Sequence, residues 1–135
     1  METILTFLLF INCLTQSEMN NIFIENLEES YSINDKLQMT LINKSDGPLF
    51  YYVGLECSIN NEWREVVNDI NDPESKSSTV LKMQVKEKKE VSFFINKILG
   101  DFIPNFDTYR LKINYGNSVD AINKKYYSKP FKVIK

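Results

Sequence analysis

The stretch LFYYVGLECSINNEWREVV, residues 49–67, decides the fold class. Apolar residues occupy every second position up to residue 59, a period of two that is typical of a β-strand with one buried face. Asn60 and Asn61 then break the pattern, and asparagine tolerates the positive φ angles of a tight hairpin. We therefore expect a long strand, a turn and a returning strand, with Trp63 closing over the hairpin. The two predicted faces are Leu49, Tyr51, Val53, Leu55, Cys57 and Ile59 on one side and Phe50, Tyr52, Gly54, Glu56 and Ser58 on the other.

The same alternation recurs along most of the chain. Short polar segments separate the runs, and a single helical turn is expected within residues 95–104. Lys124 and Lys125 are predicted to lie in a turn, and residues 130–134 to form an edge strand, because proline suits its start. The pattern predicts an all-β protein of about seven to eight strands in two stacked antiparallel sheets. The other alternating runs are residues 22–27, 37–41, 80–85, 91–95 and 109–115.

Residues 4–14 form an apolar run near the start of the chain. A membrane-spanning helix needs about 20 residues, so this run is too short to cross a bilayer. It resembles the apolar core of a secretory signal, and Thr15 and Ser17 are small enough for the cleavage site, although Glu2 replaces the usual basic start. We expect a signal peptide at residues 1–17 and one domain at residues 18–135, exported to the periplasm or cell surface.

Two other interpretations of this leader remain open. Cys13 ends the apolar run and is a candidate lipidation site, in which case the signal ends before Cys13 and the protein is anchored by lipid. Asn12 fits that signal poorly, because a small residue is preferred before the modified cysteine. The leader is otherwise a buried strand or helix of a domain that stays in the cytoplasm.

The composition excludes several kinds of chemistry. The chain contains no histidine, which removes Ser-His-Asp and Cys-His catalysis and zinc sites built on histidine. Cys57 is the only cysteine beyond the leader, so no internal disulfide is expected, and Cys57 is predicted to be a buried apolar residue. The formal net charge is only −2, with charges of both signs along the chain, which argues against nucleic-acid binding. We expect neither an enzyme nor a cofactor.

The segment FDTYRLKINYG, residues 106–116, resembles a strand of a known family. Asp107, Tyr109 and Leu111 look like the tyrosine-corner strand of immunoglobulin-like domains. The wider pattern, including YSINDKLQMTLINKSDGPLFYYVGLE, the EW pair and YYSKPFKV, resembles small bacterial immunoglobulin-like domains of the branch without a disulfide. The resemblance implies an immunoglobulin-like antiparallel β-sandwich and structural roles for Tyr109, Asp107 and Trp63. It does not imply one function, because this fold serves many.

An acidic loop offers a candidate metal site. Asp69, Asn71, Asp72 and Glu74 lie within six positions and supply the oxygen ligands that calcium prefers. However, Glu74 stands where a calcium loop of the EF-hand type requires glycine. A solvated acidic loop is the competing interpretation.

Four aromatic residues are candidates for contact with a partner, because exposed aromatic side chains anchor interfaces at low entropic cost. Packing between neighbouring strands is the competing interpretation. The four residues are Phe50, Tyr52, Tyr126 and Tyr127. Asn43, Lys44 and Ser45 also match a glycosylation sequon, which we interpret as a chance match.

These observations predict a non-catalytic binding or structural module of the bacterial cell envelope, which binds another protein. Contact is expected through loops 68–79 and 97–106 or through an edge strand such as residues 130–134. Membrane contact is expected only through a lipid anchor. Two alternatives are an inhibitor or immunity-type protein that blocks a secreted enzyme, and a weak calcium- or glycan-binding module.

Overall fold

The computed structural model describes residues 21–74, 78–100 and 107–135. This part of the chain contains ten strands and one short helix. The predicted leader, with Cys13, lies outside it. The elements are β1 (Ile22–Glu25), β2 (Ser30–Ser32), β3 (Lys36–Asn43), β4 (Leu49–Ile59), β5 (Glu62–Val67), β6 (Leu81–Met83), β7 (Lys88–Phe94), α1 (Ile95–Leu99), β8 (Thr108–Gly116), β9 (Lys124–Tyr127) and β10 (Phe131–Ile134).

The strands form two sheets. The smaller sheet has the order β1-β3-β7, and the larger has the order β2-β10-β8-β4-β5, with β6 also paired to β4 and β9 also paired to β8. The predicted all-β fold class is therefore confirmed. The structure differs from the prediction in two details. The described residues form ten strands instead of seven or eight, and β2 and β10 run parallel instead of antiparallel.

The longest pairing of the larger sheet joins β4 to β8, from Phe50 opposite Gly116 to Cys57 opposite Tyr109. Alternate residues of both strands point inward, as their period of two predicts. Asn60 and Asn61 have φ angles of 53° and 65° and make the predicted hairpin between β4 and β5.

The core lies between the two sheets. Leu37, Met39 and Leu41 of β3 belong to the same buried cluster as Val53 of β4 and Leu111 of β8. Cys57 joins this cluster as a buried free thiol, as predicted, and burial raises the pKa of its thiol. No helix among the described residues is long and apolar enough to cross a membrane.

Two sequence-based expectations at the C-terminal strands are wrong. Residues 130–134 do not form an edge strand, because β10 pairs with β2 on one side and with β8 on the other. Lys124 and Lys125 do not lie in a turn, because they pair with Tyr115 and Asn114 of β8. Both pairings are long-range contacts that local sequence patterns do not encode.

Candidate functional site

The outward face of the larger sheet carries a cluster of aromatic and charged side chains, and cross-strand register brings them together. In β5, Trp63 lies opposite Ser58 and Glu65 opposite Glu56. On the other side of β4, Glu56 lies opposite Arg110. Further across, Lys112 of β8 lies opposite Tyr127 of β9. These outward positions alternate with the buried ones because successive side chains in a strand point to opposite faces.

Arg110 is held between two aromatic rings. Its guanidinium carbon Cζ lies 4.3 Å from the centroid of the Trp63 ring and 3.9 Å from that of the Tyr127 ring. Its Nε donates a hydrogen bond of 2.8 Å to Glu56 Oε1. We call Trp63, Arg110 and Tyr127 the aromatic–arginine stack. Each ring gains from facing the cation, and the carboxylate fixes the plane of the guanidinium.

Lys112 provides a second positive charge close to Glu56 and Glu65. Lys112 Nζ lies 3.9 Å from Glu56 Oε2 and 3.8 Å from Glu65 Oε1. The side chains of Arg110, Lys112 and Glu56 are only 20%, 14% and 11% exposed. Ion pairs shielded to this degree are less screened by salt than those in open solvent. The stack therefore adjoins a network of two positive and two negative side chains, in which Glu65 is the most exposed member at 50%.

The four aromatic residues predicted to contact a partner lie in different environments. Tyr127 belongs to the aromatic–arginine stack and is 41% exposed. Phe50 and Tyr52 are half-buried and lie opposite Gly116 and Asn114 on β8.

Tyr126 does not share the outward face. Its ring lies 6.1 Å from the ring of Phe23 in β1, at the margin between the two sheets. Tyr127 and Tyr126 therefore face opposite sides of β9, as neighbours in a strand must.

The predicted metal residues do not converge. Asp69 is fully buried, and its two carboxylate oxygens accept hydrogen bonds from the backbone N–H groups of Asn71 and Thr79 at 3.0 and 2.7 Å. Asn71 and Glu74 are exposed, and Asp72 is half-buried. Within the described ranges, no group of three or more acidic or cysteine side chains is placed to hold a metal ion. Through these two hydrogen bonds, Asp69 instead connects the described parts of the segment between β5 and β6.

The three structural residues predicted from the family resemblance, Tyr109, Asp107 and Trp63, lie in different environments. Tyr109 is fully buried, its ring stacks at 6.2 Å on Phe131, and burial raises the pKa of its hydroxyl to about 12. Asp107 accepts a hydrogen bond from the Thr108 hydroxyl, and its carbonyl accepts one from the N–H of Val133. Trp63, which was also expected to have a structural role, belongs to the aromatic–arginine stack.

The sequon at residues 43–45 serves the fold. Asn43 has no exposed surface. Its Nδ2 donates to the carbonyls of Gly47 and Gln84 at 2.9 and 3.0 Å, and its Oδ1 accepts from the backbone N–H of Ser45 at 2.9 Å. An amide held in this way holds the turn between β3 and β4 and offers no surface to a modifying enzyme in the folded state.

Sequence reasoning did not single out Arg110, Glu56 or Lys112. Their outward positions follow from the alternation in β4 and β8, so a search for opposite charges on those faces would have found them. Their contact with Trp63 and Tyr127 depends on the strand order β5-β4-β8-β9, which the alternation does not specify.

Comparison with known proteins supports the fold. No protein-family model matches this chain, and no curated protein matches its sequence. Among solved structures, the class 5 fimbriae chaperone CfaA has a TM-score of 0.52 at 13% identity, over 84% of this chain and 55% of that one. This likeness bears on the fold alone, and together with the strand arrangement it gives the chain an immunoglobulin-like β-sandwich.

Two other similar structures have lower scores. A β-glucosidase from Listeria innocua in complex with isofagomine has a TM-score of 0.47 at 17% identity, over 83% of this chain. This chain spans only 16% of the length of that enzyme. The seventh PapD-like domain of human CEP192 has a TM-score of 0.37 at 8% identity, over 84% of this chain and 82% of that domain. Scores below 0.5 carry no inference about this chain.

Proposed function

We propose that this chain is a non-catalytic binding module that binds another protein through the outward face of its larger sheet. The observation that carries the proposal is the aromatic–arginine stack of Trp63, Arg110 and Tyr127. Its three members are the residue types that most often dominate the binding energy of protein interfaces.

The stack is formed by side chains of this chain alone. Arg110 is fixed by both rings and by Glu56, so binding would immobilise few additional rotamers. Ordering a rotamer-rich side chain at an interface costs about 0.5–1.5 kcal/mol, and a stack of this kind avoids most of that cost. Phe50 and Tyr52 extend the same face with half-buried aromatic surface.

The apolar leader directs the search for a partner. Residues 4–14 favour export, so the partner is proposed to be an envelope or surface protein. This export to the envelope or cell surface is inferred from the sequence alone and is part of the proposal.

Site-specific photo-crosslinking tests the proposal. We would place a photoreactive phenylalanine derivative at position 127 and, as the matched control, at position 94. Tyr127 and Phe94 are 41% and 45% exposed, but Phe94 belongs to β7 of the smaller sheet. After irradiation in the native host, we expect one protein to be crosslinked at position 127, absent at position 94, and lost when Trp63→Ala is added. Equal crosslinking at both positions, or none at position 127, would contradict the proposal.

A further inference from the structure

The C-terminal part of the chain concentrates positive charge. Residues 124–135 contain five lysines and no acidic residue, which leaves 11 basic against 18 acidic residues in the rest of the sequence. All five side chains are exposed. Among the described residues, no ion pair joins Lys124, Lys125, Lys129 or Lys132 to a carboxylate. These four lysines, which we call the lysine margin, therefore present positive charge that the fold itself does not use.

The lysine margin includes a strand with an open side. Within the described part of the chain, β9 pairs with β8 alone. Ser128 N–H donates to the carbonyl of Leu111 at 2.9 Å, so the position where Leu111 faces Ser128 is a hydrogen-bonded pair. Hydrogen-bonded and non-hydrogen-bonded pairs alternate along an antiparallel ladder. The backbone N–H and C=O groups of Tyr127 and Lys125 must therefore point away from β8, toward the open edge.

A groove of mixed polarity accompanies this edge. It lies where the margins of the two sheets meet and has a volume of about 760 Å³. Half-buried Ile24, Leu27 and Tyr126 supply its apolar surface, and the exposed charged residues Glu28, Glu29, Lys129 and Lys132 also line it. A strand placed along β9 would direct every second side chain toward these apolar residues and the others toward the outward face with Lys125 and Tyr127.

We propose that the open edge of β9 receives an extended segment of a partner protein, in which acidic and apolar residues alternate. The main-chain groups of Lys125 and Tyr127 bind its backbone, the groove takes its apolar side chains, and the lysine margin attracts its carboxylates. This inference rests on the proposed protein-binding function and names the chemistry of the partner. Tyr127 belongs both to β9 and to the aromatic–arginine stack, so the two contacts are continuous.

The first test uses synthetic peptides and the full chain. The probe is a fluorescent ten-residue peptide of alternating Glu and Val, and its binding is followed by fluorescence anisotropy. One control replaces Glu by Lys, and another is N-methylated at its six central residues, which keeps the charge but removes the N–H donors. We expect the acidic peptide to bind, the lysine peptide not to bind, and N-methylation to weaken binding at least tenfold. Equal binding of the N-methylated peptide would overturn strand addition.

Variants of the chain locate the site. Lys125→Gln with Lys129→Gln should weaken binding of the acidic peptide about 3- to 10-fold, because each exposed ion pair contributes modestly. The matched control, Lys86→Gln with Lys88→Gln, removes the same charge from another exposed segment and should have no effect. Equal loss in both double variants would show non-specific attraction and refute the site.

A proline at position 125 separates charge from backbone pairing. Lys125→Pro removes an N–H that points to the open edge, where a strand tolerates proline, whereas Lys125→Gln removes only the charge. We expect the proline variant to bind about fivefold more weakly than the glutamine variant, as loss of one hydrogen bond predicts. Circular dichroism checks that both fold, and if the proline variant does not fold, the N-methylated peptide decides. Equal affinity of two folded variants would refute backbone pairing.

Two further outcomes bear on the partner. Stronger binding to vesicles of anionic phospholipid or to single-stranded DNA than to the acidic peptide would overturn the assignment to a protein segment.

Repeating the crosslinking at position 127 with the Lys125→Gln and Lys129→Gln changes separates the two proposals. If the crosslink persists unchanged in this variant, the proposal of an acidic partner segment is refuted and the proposal of a binding module stands. If the chain without these changes gives no crosslink, the binding-module proposal itself is refuted.

Discussion

The aromatic–arginine stack makes a quantitative prediction about stability. The change is Arg110→Met, which keeps an aliphatic stem but removes the guanidinium. A hydrogen bond to a charged group contributes about 1.5–3 kcal/mol, and each cation–π contact contributes about 0.5–1 kcal/mol when it is not fully desolvated. Because the Arg110 side chain is 20% exposed, we take the lower part of both ranges. The variant should lose about 2–3 kcal/mol of unfolding free energy.

The chain contains its own control. Arg64 is the other of its two arginines, and it pairs with Glu62 at 3.2 Å while the two side chains are 63% and 70% exposed. Exposed pairs of this kind contribute about 0–1 kcal/mol. Arg64→Met should therefore cost less than about 0.5 kcal/mol, although both variants remove one arginine and one ion pair.

Urea unfolding followed by far-UV circular dichroism measures both changes. Trp63 is the only tryptophan and touches Arg110, so its fluorescence reports on the stack before global unfolding. A double-mutant cycle with Glu56→Gln should give a coupling energy of about 1 kcal/mol or more, because the hydrogen bond between the two residues loses its charged acceptor. If Arg110→Met costs no more than Arg64→Met, or if its coupling to Glu56 is zero, the stack is not an ordered unit and the reasoning fails.

Two other predictions concern backbone approach and buried hydroxyls. Gly116→Ala should cost about 2 kcal/mol or more in thermal unfolding, because the added Cβ would overlap the backbone carbonyl of Ala121. Gly47→Ala should be nearly neutral, since no atom of the described part of the chain beyond its immediate neighbours lies within 4 Å of its Cβ position. Similar losses in both variants would contradict this. Tyr51→Phe should leave stability unchanged or raise it, because its buried hydroxyl has no hydrogen-bond partner among the described residues, while Tyr31→Phe should cost about 1 kcal/mol by losing the hydrogen bond that the hydroxyl accepts from Glu28 N–H at 2.8 Å. Burial raises the pKa of Tyr51 from 10.0 to about 12, so the folded state holds this proton more tightly than the unfolded state does. The contribution of this group to stability is therefore constant below pH 10 and falls as the pH rises from 10 through 12. Tyr51→Phe should accordingly weaken the alkaline destabilisation, and an unchanged pH profile would argue against the burial of this hydroxyl.

The faces of the long strands could be predicted from the sequence because one face of each sheet is buried. In β4 and β8, alternate apolar positions such as Tyr51, Val53, Leu111 and Ile113 are all buried, as expected. A shift of one residue would expose this whole set, so the pattern leaves little freedom. The turn at residues 60–61 was predictable for a similar reason, because few residues other than glycine tolerate its backbone angles.

The short strands could not be predicted in the same way. A three-residue strand such as β2 is too short to show a period, and its parallel partner β10 lies far away in the sequence. The alternation predicts one strand over residues 80–85, but β6 ends at Met83 and Val85 is 43% exposed. The proposed binding surface depends on the same long-range order. Trp63, Arg110 and Tyr127 are unremarkable until β5, β8 and β9 are placed around β4.

The position of β10 has a consequence for how the chain folds. Tyr31 of β2 lies opposite Val133 of β10, 102 positions later, and Phe131 packs against the rings of both Tyr31 and Tyr109. Closing a loop of that length loses much chain entropy before any contact compensates it, so folding is expected on the millisecond-to-second scale of high-contact-order domains. Every other described strand leaves the ribosome before β10. Until β10 emerges, the seam between β2 and β8 stays open, so the larger sheet can be completed only after β10 has been synthesised.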